Sequence, residues 1–377
     1  MDRRGGRRDR AGSPGCRPSG KARSAWSWDA AALFGRSRRI RECLGHGRPK
    51  MTVMSLRLLI AAVCYSAVAT GLIACDAASG KASGQGAAAA LPAQPFDAQR
   101  AWTHLERQVA LGPRPAGSPA NDKLKTYLED ELRALGLTPV RETFRAKTPV
   151  DETNFGNVYA DIEAAPRTDG KPAPMLILGS HFDTKRYDRF EFVGANDGGS
   201  STAVLLELAR LLAPGAGKRD VTYRILFLDG EEAVREEWLG DDNCYGSRHH
   251  AKALEKAGIV PRVKAFVLMD LVGDKDLRLQ TESYSDPELL GIFFGAARRI
   301  GLGKHVDGPR LEVRDDHLMF MNVGIKSVNL IDFSYGPGNK HWHHESDRLD
   351  QCSKESLDAI GRIVLAGLPE LERWALR

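Results

Sequence analysis

Cysteine is scarce in this chain of 377 residues: there are six, and only Cys244 and Cys352 lie beyond residue 75. That excludes a disulfide scaffold, and no cysteines stand at thiolate-metal spacing, so zinc held by sulfur is excluded too. A single Cys244–Cys352 bridge is left open. No internal repeat is visible. Outside the first 50 residues there is no excess of basic charge either. Residues 1–50 hold 14 Lys/Arg and four Asp/Glu, a net of +10, and since the whole chain carries +5 the remainder sums to −5. The basic pI therefore belongs to the leader and gives the folded part no reason to bind nucleic acid.

That leader has no periodic apolar face, and residues 1–50 are expected to be disordered. Translation from Met51 or Met54 would omit it. From Met54 the pattern is one of export: Arg57, the apolar stretch Leu58 to Ala74, then small residues ending in Leu72-Ile73-Ala74-Cys75. The stretch is at the short end for spanning a bilayer and lacks a positive stop. Its ending looks like the lipobox of bacterial lipoproteins. The expectation is a signal peptide over 51–75, a lipid-bearing Cys75 as the only membrane contact, and a flexible Ala/Gly/Ser-rich tether over 76–95. The protein would then be exported across the bacterial inner membrane and held in the periplasm or cell envelope.

Residues 96–377 read as one α/β domain with a mainly parallel, mixed central sheet flanked by helices. Helices are expected around Trp102–Val109, Leu124–Leu135, Thr202–Leu212, Pro287–Ile300 and Lys354–Leu371. Strands are expected around Val140–Phe144, Asn157–Ile162, Met175–Leu178, Val221–Leu228, Val263–Met269 and Val328–Phe333.

The chemistry lies where apolar runs stop. VTYRILFLDGEE at 221–232 reads as a strand buried on both faces that ends in Asp229, Gly230, Glu231 and Glu232. Adjacent carboxylates there are costly unless a cation holds them. A lone Glu-Glu pair is usually a solvated turn, but other runs behave alike: one leads into His181 and Asp183, another ends at Asp270, and His343 follows a late strand. Asp197 lies in a glycine-rich loop that opens a helix. Open α/β sheets bind ligands at the carboxyl ends of their strands. Histidine and carboxylate without thiolate suit catalytic zinc, and the set is large enough for one ion or for two sharing a carboxylate.

The series His181-x-Asp183, Gly194-Ala195-Asn196-Asp197, Asp229-Gly230-Glu231-Glu232, Met269-Asp270, Asp316-His317 and His343-x-x-x-Asp347 resembles the M28 zinc aminopeptidase superfamily. Within it, Glu231-Glu232-Ala233, Trp238, Tyr245-Gly246-Ser247-Arg248-His249, Asp315-Asp316-His317 and Trp342-His343 resemble animal-type glutaminyl-peptide cyclotransferase. The resemblance implies a zinc-exopeptidase-like fold and zinc on Asp197, Glu232 and His343. It also implies Glu231 as proton shuttle, in a hydrogen-bonded acidic network with Asp270 and Asp315. Trp238, Trp342 and Asp316 would contact the substrate, a peptide with N-terminal glutamine. In the aminopeptidase pattern, His181 and Asp270 would hold a second metal around a bridging Asp197, and Glu231 would activate water in place of the amine. A monomer is expected. Asn196-Asp197-Gly198-Gly199-Ser200 follows the peptidase form of that loop, and the segment before Trp238 is one residue longer than in the animal enzymes. His249, His250 and His305 are expected to be structural.

Overall fold

The computed structural model describes residues 95–377. The leader, the signal segment and all but the last residue of the tether lie outside the described residues. Among the described residues no helix is long and apolar enough to cross a membrane.

Six strands form one sheet: β1 (Val140–Lys147), β2 (Glu152–Ile162), β3 (Met175–His181), β4 (Thr222–Leu228), β5 (Val263–Asp270) and, after a two-residue side pair β6 (Thr281–Glu282) and β7 (Arg310–Leu311), β8 (Ser327–Ile331). Their order is β1-β2-β4-β3-β5-β8. β4, β3, β5 and β8 run parallel, and β2 and β1 join antiparallel at one side. The parallel strands are unbroken apolar runs because both faces are covered. Leu176, Leu178, Tyr223, Ile225, Phe227, Ala265, Val267 and Met269 face one core. Met175, Ile177, Leu226, Leu228, Phe266 and Leu268 face the other.

Helices α1 (Ala98–Val109), α3 (Ser201–Leu212), α5 (Pro287–Arg299) and α7 (Lys354–Ala375) cover the first face. With them goes α2 (Pro119–Ala134), which starts on a Ser118 cap with proline at its first position. The second face is covered by α4 (Tyr245–Lys256) and the short α6 (His317–Met321). Neither of these two helices is among the elements expected from the sequence. α4 follows Cys244 in the left-handed region (φ 51°) with no side-chain cap, and its buried face mixes Gly246, Ser247 and His250 with Tyr245, Ala251 and Leu254, which dilutes the apolar stripe that would announce a helix.

Register decides the function of this sheet. His181, the last residue of β3, pairs with Leu228, the last of β4, so the turn carrying Glu231 and Glu232 leaves the sheet beside His181. Asp270 ends β5 opposite Ile331 of β8. The Cys244–Cys352 bridge that the sequence leaves open does not form: both are buried free thiols.

Asp229 anchors the turn. Its Oδ1 accepts from Asn121 Nδ2 at 2.9 Å, its Oδ2 from the Gly156 N–H at 2.8 Å, and Lys125 Nζ lies 2.9 Å away in a pair closed to solvent. Breaking a buried pair by removing one partner strands the other charge. Lys125→Met should therefore cost on the order of 3–5 kcal/mol of stability, measured by urea unfolding. A loss below about 1 kcal/mol would show that Asn121 and Gly156 suffice to hold Asp229.

Candidate active site

Five side chains expected from five separate stretches meet at the carboxyl edge of the sheet. His181 Nε2 lies 3.1 Å from Asp270 Oδ1 and 3.3 Å from Asp197 Oδ1. His343 Nε2 lies 3.0 Å from Glu232 Oε1 and 3.5 Å from Asp197 Oδ2. Two ligand sets result, His181–Asp197–Asp270 and Asp197–Glu232–His343, each with its donor atoms within 4.8 Å of one another. Asp197 belongs to both.

Backbone anchors place these groups. Asp347 accepts from the N–H groups of Asn196 (2.8 Å) and Asp197 (3.1 Å) and from the Tyr335 hydroxyl (2.8 Å). Asp183, expected as a ligand candidate, instead accepts from the N–H groups of Glu231 (3.1 Å) and Glu232 (3.3 Å), so both its oxygens are spent on orienting the acid pair. Two glycines let the ligands approach. Gly198 has φ +79°, and a Cβ there would lie 2.8 Å from the Asp183 carbonyl and 3.0 Å from the His181 ring. Gly230 has φ +71°, and a Cβ would lie 2.4 Å from the Phe155 ring. His343 itself adopts φ 54°, a costly conformation for a residue with a side chain and one that collects at functional sites.

The enclosure is short of positive charge. Burial, with Glu232 beside it, pushes Asp197 up to about 7. Burial raises Glu231 well above the carboxylate range; His181 opposes this, while Glu232, Asp315 and Asp316 add to it. Burial would raise Glu232 as well, but His343 and Lys185 outweigh it and hold that carboxyl at about 2. Burial disfavours a charged His181, yet Glu231 and then the carboxylates of Asp183, Asp197 and Asp270 lift its pKa well above the usual value. Two buried carboxylate oxygens of the ligand sets, Asp197 Oδ2 and Glu232 Oε2, have no hydrogen-bond partner, nor has the second ring nitrogen of His181, Nδ1. Unpaired donors and acceptors among crowded buried carboxylates fit a bound divalent cation, and the nitrogen and oxygen donor set fits zinc.

Around the expected acidic cluster of Glu231, Asp270 and Asp315, the structure shows the neutral donors. Asp315 Oδ1 takes the Asp316 N–H and its Oδ2 takes Asn329 Nδ2 at 2.6 Å, while Asp316 Oδ1 takes the Ser247 hydroxyl. Neighbouring amide and hydroxyl donors occupy the oxygens, so the acids act on one another through charge: burial and then Asp270 raise Asp315 to about 6. Asp316, expected to touch substrate, is fully buried. Trp342 stacks on His343 with ring centroids 3.9 Å apart and an 18° tilt. The rings of Phe192 and Tyr187 stand edge-on to His343 at 6.0 and 6.4 Å. Trp238 is half-buried in the loop after Glu232, with its indole N–H enclosed and unpartnered. The other histidines are structural, as expected: His250 pairs with Glu142 at 2.8 Å, His249 stacks on Phe144, and His305 Nδ1 meets the Leu277 carbonyl. His341 and His344, which flank His343, both meet the Ser346 hydroxyl.

A mixed sheet with buried histidine and carboxylates gathered at its carboxyl edge around a shared aspartate defines a metal-dependent enzyme of the zinc-exopeptidase class. The model of peptidase family M28 matches residues 157–368. A glutaminyl-peptide cyclotransferase-like protein of Bos taurus is 30% identical over 306 residues, covering 73% of this chain and 76% of the relative. The solved glutaminyl cyclase of an Acidobacteriales bacterium superposes with a TM-score of 0.69 at 30% identity, covering 78% of this chain and 100% of that one. A leucine aminopeptidase precursor from Bacteroides thetaiotaomicron superposes with a TM-score of 0.65 at 25% identity, covering 74% and 98%. The chain belongs to peptidase family M28 and, within it, to the glutaminyl-peptide cyclotransferase group.

Proposed function

We propose that this enzyme is a zinc-dependent glutaminyl-peptide cyclotransferase, converting an N-terminal glutamine to pyroglutamate with release of ammonia. The observation that carries the reading is the stacked Trp342–His343 pair at the Asp197–Glu232–His343 set, with Glu231 adjoining. An apolar wall at that position packs on a small side chain and keeps water from competing as nucleophile. We assign one zinc to this set, because the His343 side chain is 12% exposed and leaves an open side, whereas His181 is enclosed at 1%. A zinc ion held there polarises a carbonyl oxygen.

Glu231 carries the proton. Its carboxylate takes one from the substrate α-amine as that nitrogen bonds to the side-chain carboxamide carbon. It returns the proton to the departing nitrogen as the amide C–N bond breaks, leaving lactam and ammonia. The nucleophile is already part of the substrate, so orientation supplies much of the rate. Asp183 and Asp229 hold the Glu231–Glu232 turn in place through the process. Asp270 and Asp315 keep the surrounding field negative, which favours a protonated Glu231 between the two transfers.

The reading extends to an exported monomer that reaches peptides in the cell envelope while anchored through Cys75. A coupled assay of ammonia release from a Gln-Xaa dipeptide tests the activity: stoichiometric ammonia and a cyclised product are expected, and an unchanged peptide would refute it. Aminopeptidase action is the second reading, favoured by one observation, the intact His181–Asp197–Asp270 set beside the first.

A further inference from the structure

The loop that leaves the sheet after Glu232 is fastened to itself. It carries Trp238 and the 65% exposed Leu239 before returning at Asp242 to enter α4. Asp242 is buried. Its Oδ1 accepts from the Val234 N–H at 3.2 Å and the Tyr245 hydroxyl at 2.7 Å, and its Oδ2 from the Arg235 N–H at 2.9 Å. One carboxylate therefore ties the loop's exit to its entry and both to the first residue of α4, the closed-end arrangement of an Ω-loop.

A second tie comes from the residue two beyond Asp183. Lys185 is 1% exposed, and its Nζ donates to the carbonyls of Ala233 (3.2 Å) and Arg235 (3.1 Å). The same nitrogen lies 3.7 Å from Glu232 Oε2. A buried ammonium is costly unless its donors are spent. Here they are spent on the loop, and the nearest carboxylate is a metal ligand. The loop's ends are also joined by two buried backbone bonds, from the Cys244 N–H to the Glu231 carbonyl (2.8 Å) and from the Tyr245 N–H to the Gly230 carbonyl (2.7 Å), whereas the side-chain ties nearer its tip are exposed at one partner or both: Arg189–Glu236 at 2.6 Å, Arg314 to the Gly240 carbonyl and Arg248 to the Asp241 carbonyl. Such contacts contribute little. Residues 235–237 and 239–241 are exposed, so between the closed ends of the loop only the two side-chain anchors and the half-buried Trp238 itself are held against the body of the protein.

We propose that Asp242 and Lys185 are positioning residues for the reaction. Asp242 holds Trp238 at the substrate pocket, and Lys185 joins that loop to the metal ligand Glu232. The inference rests on the functional reading above and on the expectation, carried by the resemblance to glutaminyl-peptide cyclotransferases, that Trp238 contacts the substrate. A plain structural role would close the loop without acting through Trp238, and a double-mutant cycle separates the two.

The test uses the zinc-loaded enzyme with Asp242→Ala, Lys185→Met and Trp238→Ala, singly and as the two doubles containing Trp238→Ala. Asp242→Ala should expose Arg235 to trypsin, leave zinc content unchanged, and lower kcat/KM for a glutaminyl peptide about tenfold or more, mainly through KM. Asp242→Asn, which keeps size and one acceptor, should recover most of that loss. In the Trp238→Ala background the same change should add nothing. Lys185→Met should repeat this pattern and also release zinc faster to a chelator. Additive losses in the doubles, or an Asp242→Ala enzyme with wild-type trypsin resistance and KM, would overturn the proposal. A wild-type enzyme that fails to cyclise glutamine would sink the functional reading alone, because trypsin cleavage and zinc release still report on the two anchors.

Discussion

Glu231→Gln is expected to bind zinc as the wild type does and to turn over glutaminyl peptide about 10²–10⁴-fold more slowly, the range a positioned general base contributes. Glutamine keeps the volume of the side chain and can still receive the backbone support that Asp183 gives to this turn. It cannot take a proton from the amine. The pH profile supplies the sign. Burial, helped by Glu232, Asp315 and Asp316 against His181, raises the Glu231 carboxyl well above the usual range. The base works only when ionised, so wild-type kcat/KM should rise with pH through a limb lying above ordinary carboxylate values, and that limb should vanish in the glutamine variant. A Glu231→Gln enzyme retaining more than about a tenth of wild-type kcat would remove Glu231 from the mechanism.

The second large effect separates the two ligand sets. His343→Ala should lose zinc and nearly all turnover, since it removes the only nitrogen donor of the Asp197–Glu232–His343 set and leaves Glu232 unpaired at its Oε1 side. His181→Ala should keep one zinc per chain while losing rate, because it leaves that first set whole and disturbs only Asp197 and Asp270. Metal analysis after dialysis reads both variants. If His181→Ala instead drops from two zincs to one, the site is a two-metal centre and the assignment of a single ion is wrong.

Much of this site is legible in the sequence, and the reason is the parallel sheet. Strands buried on both faces appear as unbroken apolar runs, their ends can be read to within a few residues, and ligands collect where the runs stop. His181, Glu231, Glu232 and Asp270 were visible on that ground, with Asp197 marked by its glycines and His343 by its neighbours. What was not legible depends on contacts made across the fold. Asp347 stands in a motif of the resemblance, but that it reaches the Asn196 and Asp197 N–H groups, about 150 residues away, is not written in its own stretch. Lys185 looks like a surface lysine until the loop after Glu232 folds over it. α4 is hard to read because glycine, serine and histidine make up half of its buried face and dilute the apolar stripe of Tyr245, Ala251 and Leu254. The neutral donors around the acidic cluster are of the same kind: Asn329 reaches Asp315, and Ser247 reaches Asp316 beside it. Asn329 carries no signal in its own stretch, and Ser247 stands in a motif of the resemblance that does not disclose its partner.

The central claim, cyclisation at a single zinc, is tested most directly by incubating the zinc-loaded enzyme with Gln-Xaa and Leu-Xaa dipeptides together, following both by mass and counting zinc per chain. The account predicts loss of one ammonia from the glutamine peptide, an intact leucine peptide and about one zinc. Free leucine with about two zincs would contradict it and make the chain an aminopeptidase whose tryptophans shape specificity.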